Sequence, residues 1–298
     1  MQMTRDQWIF GSNNVALNTA CPSDDQLQQA HRPFVDIGAG HRLFLRDWGR
    51  GRPVLFLAGW AMDSSIWGAT MAALNAFNVR TIAYDRRGHG RSTDPGAIDY
   101  DLLADDLAAV IETLDLHDLT IVTHSGAAGE AIRYITRHGD ARLARLLLVG
   151  PAGPCMIGGP DNPYGLPREA ISAVLSQLSD DLPSWIDANV EPFAPSATRR
   201  TLDWLAGLVL QTSRRLLLDF QQVIAEADLR AEAAALKVPV TVIHGTQDAS
   251  TPLEITGQRY REIISGAELV IYEGAAHGIM ITHTARLAAD IAARLAEV

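Results

Sequence analysis

The chain has 298 residues, 47% of them apolar, enough for one large core or one core with an inserted cap, so a second domain is not required. A formal charge of −10 argues against a nucleic-acid or anionic-membrane partner, because either needs a basic face to neutralise phosphates. A protein acting on small molecules is expected, and Cys21 and Cys155 are expected as unpaired thiols because a chain this long needs no staple.

Residues 1–31 read as an extension whose few hydrophobes (Trp8, Ile9, Phe10) form no periodic element. They contain no apolar run long enough for a signal peptide or membrane span, so a cytoplasmic location is expected. Phe34 to Ile37 and Arg42 to Trp48 alternate around Gly38-Ala39-Gly40, the pattern of an antiparallel hairpin. The unbroken run Val54-Leu55-Phe56-Leu57 predicts a strand buried on both faces, ending in Ala58-Gly59-Trp60. A helix over Ile66–Leu74 and a strand over Val79–Asp85 follow, then the glycine-punctuated loop Arg86 to Ser92. From Tyr100 to Leu114 the apolar residues Leu102, Leu103, Leu107, Val110, Ile111 and Leu114 recur at helical spacing. Leu119–Thr123 is the next strand, followed by a helix to His138 that Gly139 can end, and by the strand Leu146–Val149.

This β-α-β-α rhythm predicts a mostly parallel central sheet with helices on both faces. Strand signals then vanish from Pro151 to about Leu236, and the proline- and glycine-broken helical segment reads as a cap over the carboxyl ends of the strands, where open α/β sheets bind ligands. The expected division is a core over 32–152 and 236–298 with a helical cap over 153–235. Trp185 and Trp204 are the cap's candidate substrate-binding side chains. Val238–Ile243 and Leu269–Tyr272 complete the sheet, and a helix over Ala285–Leu295 ends the chain.

Ser125 stands where an apolar strand meets a small-residue helix start, in Ile121-Val122-Thr123-His124-Ser125-Gly126-Ala127-Ala128. A serine on such a turn is lifted clear of both elements and faces the first N–H groups of the helix. A serine hydroxyl needs a base, and the base needs a carboxylate to fix its tautomer; His277 and Asp248, each just beyond a strand, are the candidates. The backbone N–H groups of Gly126 and Trp60 are the candidate oxyanion donors. Trp60 and His124 are also candidate substrate contacts, with the His124 side chain expected to point away from the serine hydroxyl.

The order Ser, Asp, His, with Tyr84-Asp85-Arg86-Arg87-Gly88-His89-Gly90-Arg91-Ser92, His244-Gly245-Thr246-Gln247-Asp248 and Glu273-Gly274-Ala275-Ala276-His277-Gly278, resembles the α/β-hydrolase superfamily. Within it the chain is similar to the esterase and cofactor-free haloperoxidase (perhydrolase) branch. The resemblance implies the α/β-hydrolase fold and a serine hydrolase acting on a small-molecule carboxylic ester or lactone, with no cofactor. Perhydrolase, cofactor-free oxygenase, hydroxynitrile-lyase and non-enzymatic receptor readings share the fold. The oxygenases draw their acid from after the strand preceding the cap, where this chain has Val149-Gly150-Pro151.

Three departures carry expectations. Thr123 and Ala127 hold the outer places of the usual Gly-x-Ser-x-Gly, implying extra room or a changed strand pitch. Ala58 replaces the usual histidine, removing a brace from the oxyanion loop. Gly126 replaces a bulkier residue, which widens the space around the serine and disfavours perhydrolysis. His89, Asp85 and Arg86 read as loop scaffolding, with Asp85 and Arg86 paired to each other or to nearby carbonyls. His244 reads as a hydrogen-bonded strand-end histidine, and His283 as part of the start of the last helix. No metal-ligand spacing or phosphate loop is present. A homo-oligomer is left open.

Overall fold

Alternate residues of the central strands feed two different cores. In a computed structural model, residues 33–296 are described; the expected extension, 1–31, and Cys21 lie outside them. The hairpin β1 (Phe34–Asp36) and β2 (Arg42–Trp48) is followed by β3 (Arg52–Leu57), β4 (Val79–Tyr84), β5 (Leu119–His124), β6 (Leu143–Val149), β7 (Val240–Gly245) and β8 (Glu268–Tyr272). The sheet runs β1-β2-β4-β3-β5-β6-β7-β8, antiparallel at its first two pairings and parallel at the rest. Val54, Phe56, Val122, Leu147 and Val149 enter one cluster, whereas Leu55, Leu57, Ile121, Leu146 and Leu148 enter the other. A strand period of two turns each unbroken apolar run into two buried faces.

Helices cover both faces. The first core takes side chains from α1 (Gly68–Asn75) and from the last helix; the second takes them from α2 (Tyr100–Thr113) and α3 (Ala127–His138). A 3-10 turn over Ser64–Trp67 precedes α1, so the expected single helix is two short elements. Asp99 starts α2 by accepting the Leu102 N–H at 2.7 Å, a side-chain cap on an otherwise orphan donor. Between β6 and β7 lie α4 (Arg168–Asp180), α5 (Leu182–Phe193), α6 (Arg199–Gln211), α7 (Arg214–Glu226) and α8 (Arg230–Ala234). Their apolar stripes do not form a separate core. Leu178, Ile186, Leu205 and Leu217 join the first cluster, and Leu216, Phe220 and Ile224 pack with Ile98, Tyr100 and Leu103. After β7 come α9 (Gly257–Ile263), α10 (Ile279–Thr282) and α11 (Thr284–Leu295), with His283 just ahead of α11.

Register decides what meets at the sheet's edge. Leu57 pairs with Thr123, His124 with Val149, Val149 with Ile243, and Gly245 with Tyr272. The residues that follow these strand ends therefore gather along one rim. No helix among the described residues is long and apolar enough to cross a membrane.

Candidate active site

β5 ends at His124 and α3 begins at Ala127, and the short link places Ser125 at φ +55°. That left-handed conformation costs a non-glycine residue about 1–3 kcal/mol. The backbone holds it there: the Ser125 N–H donates to the Val149 carbonyl at 3.1 Å, and its own carbonyl accepts from Ala128 and Ala152, each at 3.1 Å. Thr123 and Ala127 are fully buried, and the crowding falls on Gly126 and Gly129 instead. A Cβ on Gly126 would lie 2.3 Å from Ile224 Cδ1, so the expectation that this glycine opens space beside the serine is overturned. A side chain from α7 fills that space.

Asp248 sits in the loop after β7. Its Oδ1 accepts the backbone N–H groups of Ser250 (3.0 Å) and Thr251 (2.8 Å), and its Oδ2 accepts the Thr251 hydroxyl (3.0 Å) and the His277 Nδ1–H (2.7 Å). Burial pushes its carboxyl up, but the His277 charge and the hydrogen bonds from His244 and His277 outweigh burial and hold it well below the usual carboxylate range. In the neutral ring, Nδ1 donating to a carboxylate leaves His277 Nε2 as the acceptor. His244 Nε2–H donates to the Thr251 carbonyl at 2.8 Å, tying down the loop that carries Asp248.

The His277 backbone is clamped from two sides. His124 Nε2–H donates to its carbonyl at 3.2 Å, and the Gly278 N–H donates to the Phe193 carbonyl at the end of α5 at 2.7 Å. The His124 and His277 rings lie 4.4 Å apart. Burial, and then the charge of His277, lower the His124 pKa well below its ordinary value, so this imidazole is neutral.

Ser125, His124, His277, Trp60 and Trp185 line one cavity of about 400 Å³, with Thr251 at its wall. Among the described residues no Asp, Glu, Lys or Arg side chain lines it. The Trp60 and Trp185 rings meet edge to face at 5.3 Å. Trp204 corrects the sequence reading: it is 38% exposed and lies outside the cavity lining, to which α6 contributes Leu205 and Val209. Those two are one helical turn apart, and Trp204 is rotated about 100° from Leu205. Among the described residues the backbone N–H groups of Trp60 and Gly126 donate to no protein acceptor.

Residues 54–290 match the pattern of the alpha/beta hydrolase family. The chain belongs to that family. It is 35% identical over 258 residues to a non-heme chloroperoxidase of Kitasatospora aureofaciens, covering 83% of this chain and 92% of that one. A bromoperoxidase structure from Bacillus anthracis superposes with a TM-score of 0.85 at 26% identity, covering 89% of this chain and 99% of the other. An esterase from Exiguobacterium antarcticum matches with the same TM-score, identity and coverage.

In this alpha/beta hydrolase the missing histidine at Ala58 has a structural substitute. Arg86 donates through Nη2 to the Ala58 carbonyl (2.6 Å) and through Nη1 to the Gly59 carbonyl (3.2 Å). Its Nε and Nη2 also reach Glu130 Oε2 (3.0 and 2.7 Å), and both partners are buried. Asp85 does not pair with Arg86; it accepts from the backbone N–H groups of Ser64 (2.9 Å) and Arg91 (2.8 Å). His89 Nδ1–H donates to the Arg87 carbonyl at 2.8 Å. Sequence reasoning did not find Thr251, Glu130 or Ile224. Glu130 and Ile224 act through side-chain contacts with residues of another loop or helix, which no local pattern encodes, whereas Thr251 bonds Asp248 three residues away in the same loop.

Proposed function

We propose that this alpha/beta hydrolase is a serine hydrolase of an uncharged carboxylic ester or lactone, working through an acyl-enzyme on Ser125. The observation that carries the reading is the 2.7 Å hydrogen bond from His277 Nδ1–H to a deprotonated Asp248, on a histidine sharing its cavity with a strained serine. His277 Nε2 takes the hydroxyl proton as Ser125 Oγ attacks the carbonyl carbon, then returns it to the departing alkoxide. Water, activated by the same nitrogen, cleaves the acyl-enzyme. The N–H groups of Trp60 and Gly126, which donate to no protein acceptor among the described residues, are the donors for the charge that develops on the carbonyl oxygen. Losing one such donor typically costs about 2.7–4 kcal/mol in the barrier. A cavity wall without formal charges disfavours ionic substrates, whose desolvation would go uncompensated.

A second reading, perhydrolysis, uses the same acyl-enzyme with hydrogen peroxide in place of water, releasing a peracid. The chloroperoxidase and bromoperoxidase relatives favour it. Ile224 fills the space beside Gly126 whose openness would disfavour it.

Intact-mass measurement after exposure to a fluorophosphonate tests the common step. One adduct on the wild type, absent from Ser125→Ala, is expected; a folded wild type that takes no adduct would sink both readings. Bromide oxidation that requires acetate, peroxide and Ser125 would favour the second reading, and ester turnover without it the first.

A further inference from the structure

Gly126 has φ −60°, a conformation open to any residue, so its backbone does not call for glycine. Space does. A Cβ there would stand 2.3 Å from Ile224 Cδ1, 2.7 Å from Ile224 Cγ1 and 3.6 Å from Phe220 Cζ, the first two well inside contact distance. Ile224 is buried and lines the cavity that holds Ser125.

The rest of α7 fixes Ile224 in place. Leu216, Phe220 and Ile224 are spaced by four residues and share one face of the helix. Leu216 fills the position of a side chain at Gly88, where a Cβ would be 2.2 Å from Leu216 Cδ1. Phe220 is met edge-on by Tyr100 at 6.1 Å and His89 at 6.4 Å, with the Arg86 guanidinium 4.7 Å over its ring. The Trp60 indole N–H donates to the Leu217 carbonyl at 2.8 Å. One helix of the insertion thus touches both Trp60 and Gly126.

We propose that Ile224 sets the size limit on the substrate group lying beside Gly126, doing from the insertion what a side chain at position 126 would do from the elbow. This rests on the hydrolase reading of Ser125. A β-branched side chain with few rotamers, wedged between Phe220 and the elbow, is a fixed wall. Longer or α-branched acyl groups press against it, and small ones pass.

The test uses p-nitrophenyl acetate, butanoate, hexanoate and 2-methylpropanoate with wild type, Ile224→Val and Ile224→Ala, and fluorophosphonate labelling run in parallel. Ile224→Ala is expected to raise kcat/KM for the larger esters relative to acetate by at least tenfold, the low end of the ~10–200-fold that one methylene is worth in an apolar pocket. Ile224→Val should fall between. An unchanged ratio in a variant that still labels at Ser125 overturns this inference and leaves the hydrolase reading standing. A folded wild type that does not label overturns both. A second measurement needs no activity: Gly126→Ala should lower Tm, and adding Ile224→Ala should restore part of the loss. Strictly additive losses would remove the packing on which the wall depends.

Discussion

Asp248 accepts from two backbone N–H groups, the Thr251 hydroxyl and His277, so its charge and its orientation are both fixed before any substrate arrives. An amide in its place can turn a donor toward His277 Nδ1, which then becomes the acceptor, and Nε2 carries the proton that the proposed mechanism has it accept. Asp248→Asn is therefore expected to lose about 10⁴ in kcat, the size of the same change in the chymotrypsin-type triad. Ester turnover with circular dichroism as a fold check measures it; a fall of less than tenfold would place the acid elsewhere. Ser125, Asp248 and His277 were legible in the sequence because each follows a strand signalled by a local apolar run. Trp204 was misread because residue type suggested a pocket, whereas orientation on α6 is set by which stripe the neighbouring helices cover, and that stripe runs through Leu205 and Val209.

The loop carrying Ala58, Gly59 and Trp60 has no histidine brace, and its geometry is held from β4's end by Arg86 and from α3 by Glu130. Two carbonyls of the loop point at the guanidinium, which leaves the Trp60 N–H without a protein acceptor among the described residues. Glu130 completes the arrangement as the buried counter-charge, with the Tyr84 hydroxyl also donating to it. Glu130→Gln leaves a buried cation unpaired and should destabilise the protein by about 3–5 kcal/mol. Urea unfolding reads this; a loss below about 1 kcal/mol would show that the pair is dispensable. At the scale of elements the sequence was informative wherever periodicity is local. The hairpin, α2, β5 and α11 have ends within a residue or two of their expected positions. The Arg86–Glu130 pair was not legible, since its partners lie on different elements and Arg86 equally suited a pairing with Asp85 or with nearby carbonyls.

The whole molecule places neutral imidazoles in its interior, and this sets the sign of its response to acid. Burial, then the nearby Arg86 charge, lowers the His89 pKa to about 3, while the unfolded chain titrates near the ordinary histidine value of about 6.5. Between these values the unfolded state binds the proton and the folded state does not, so stability is fully present above about pH 6.5 and is lost as pH falls toward 3. His124 acts in the same direction. The buried carboxyls of Asp85, Asp106 and Glu130 are raised by burial and act oppositely, gaining protons first in the folded state as pH falls toward the carboxylate range. Smaller net negative charge also eases self-repulsion on acidification. A comparison of slopes separates His89 from these effects. Its titration should cost about 1.4 kcal/mol between pH 7.5 and pH 5.5. His89→Gln is expected to start less stable, because Phe220 loses one of its two ring partners, yet to fall less steeply in urea midpoint over that interval. Parallel slopes for the two proteins would mean that His89 takes up its proton without unfolding, and that the packing around Phe220 admits the charge.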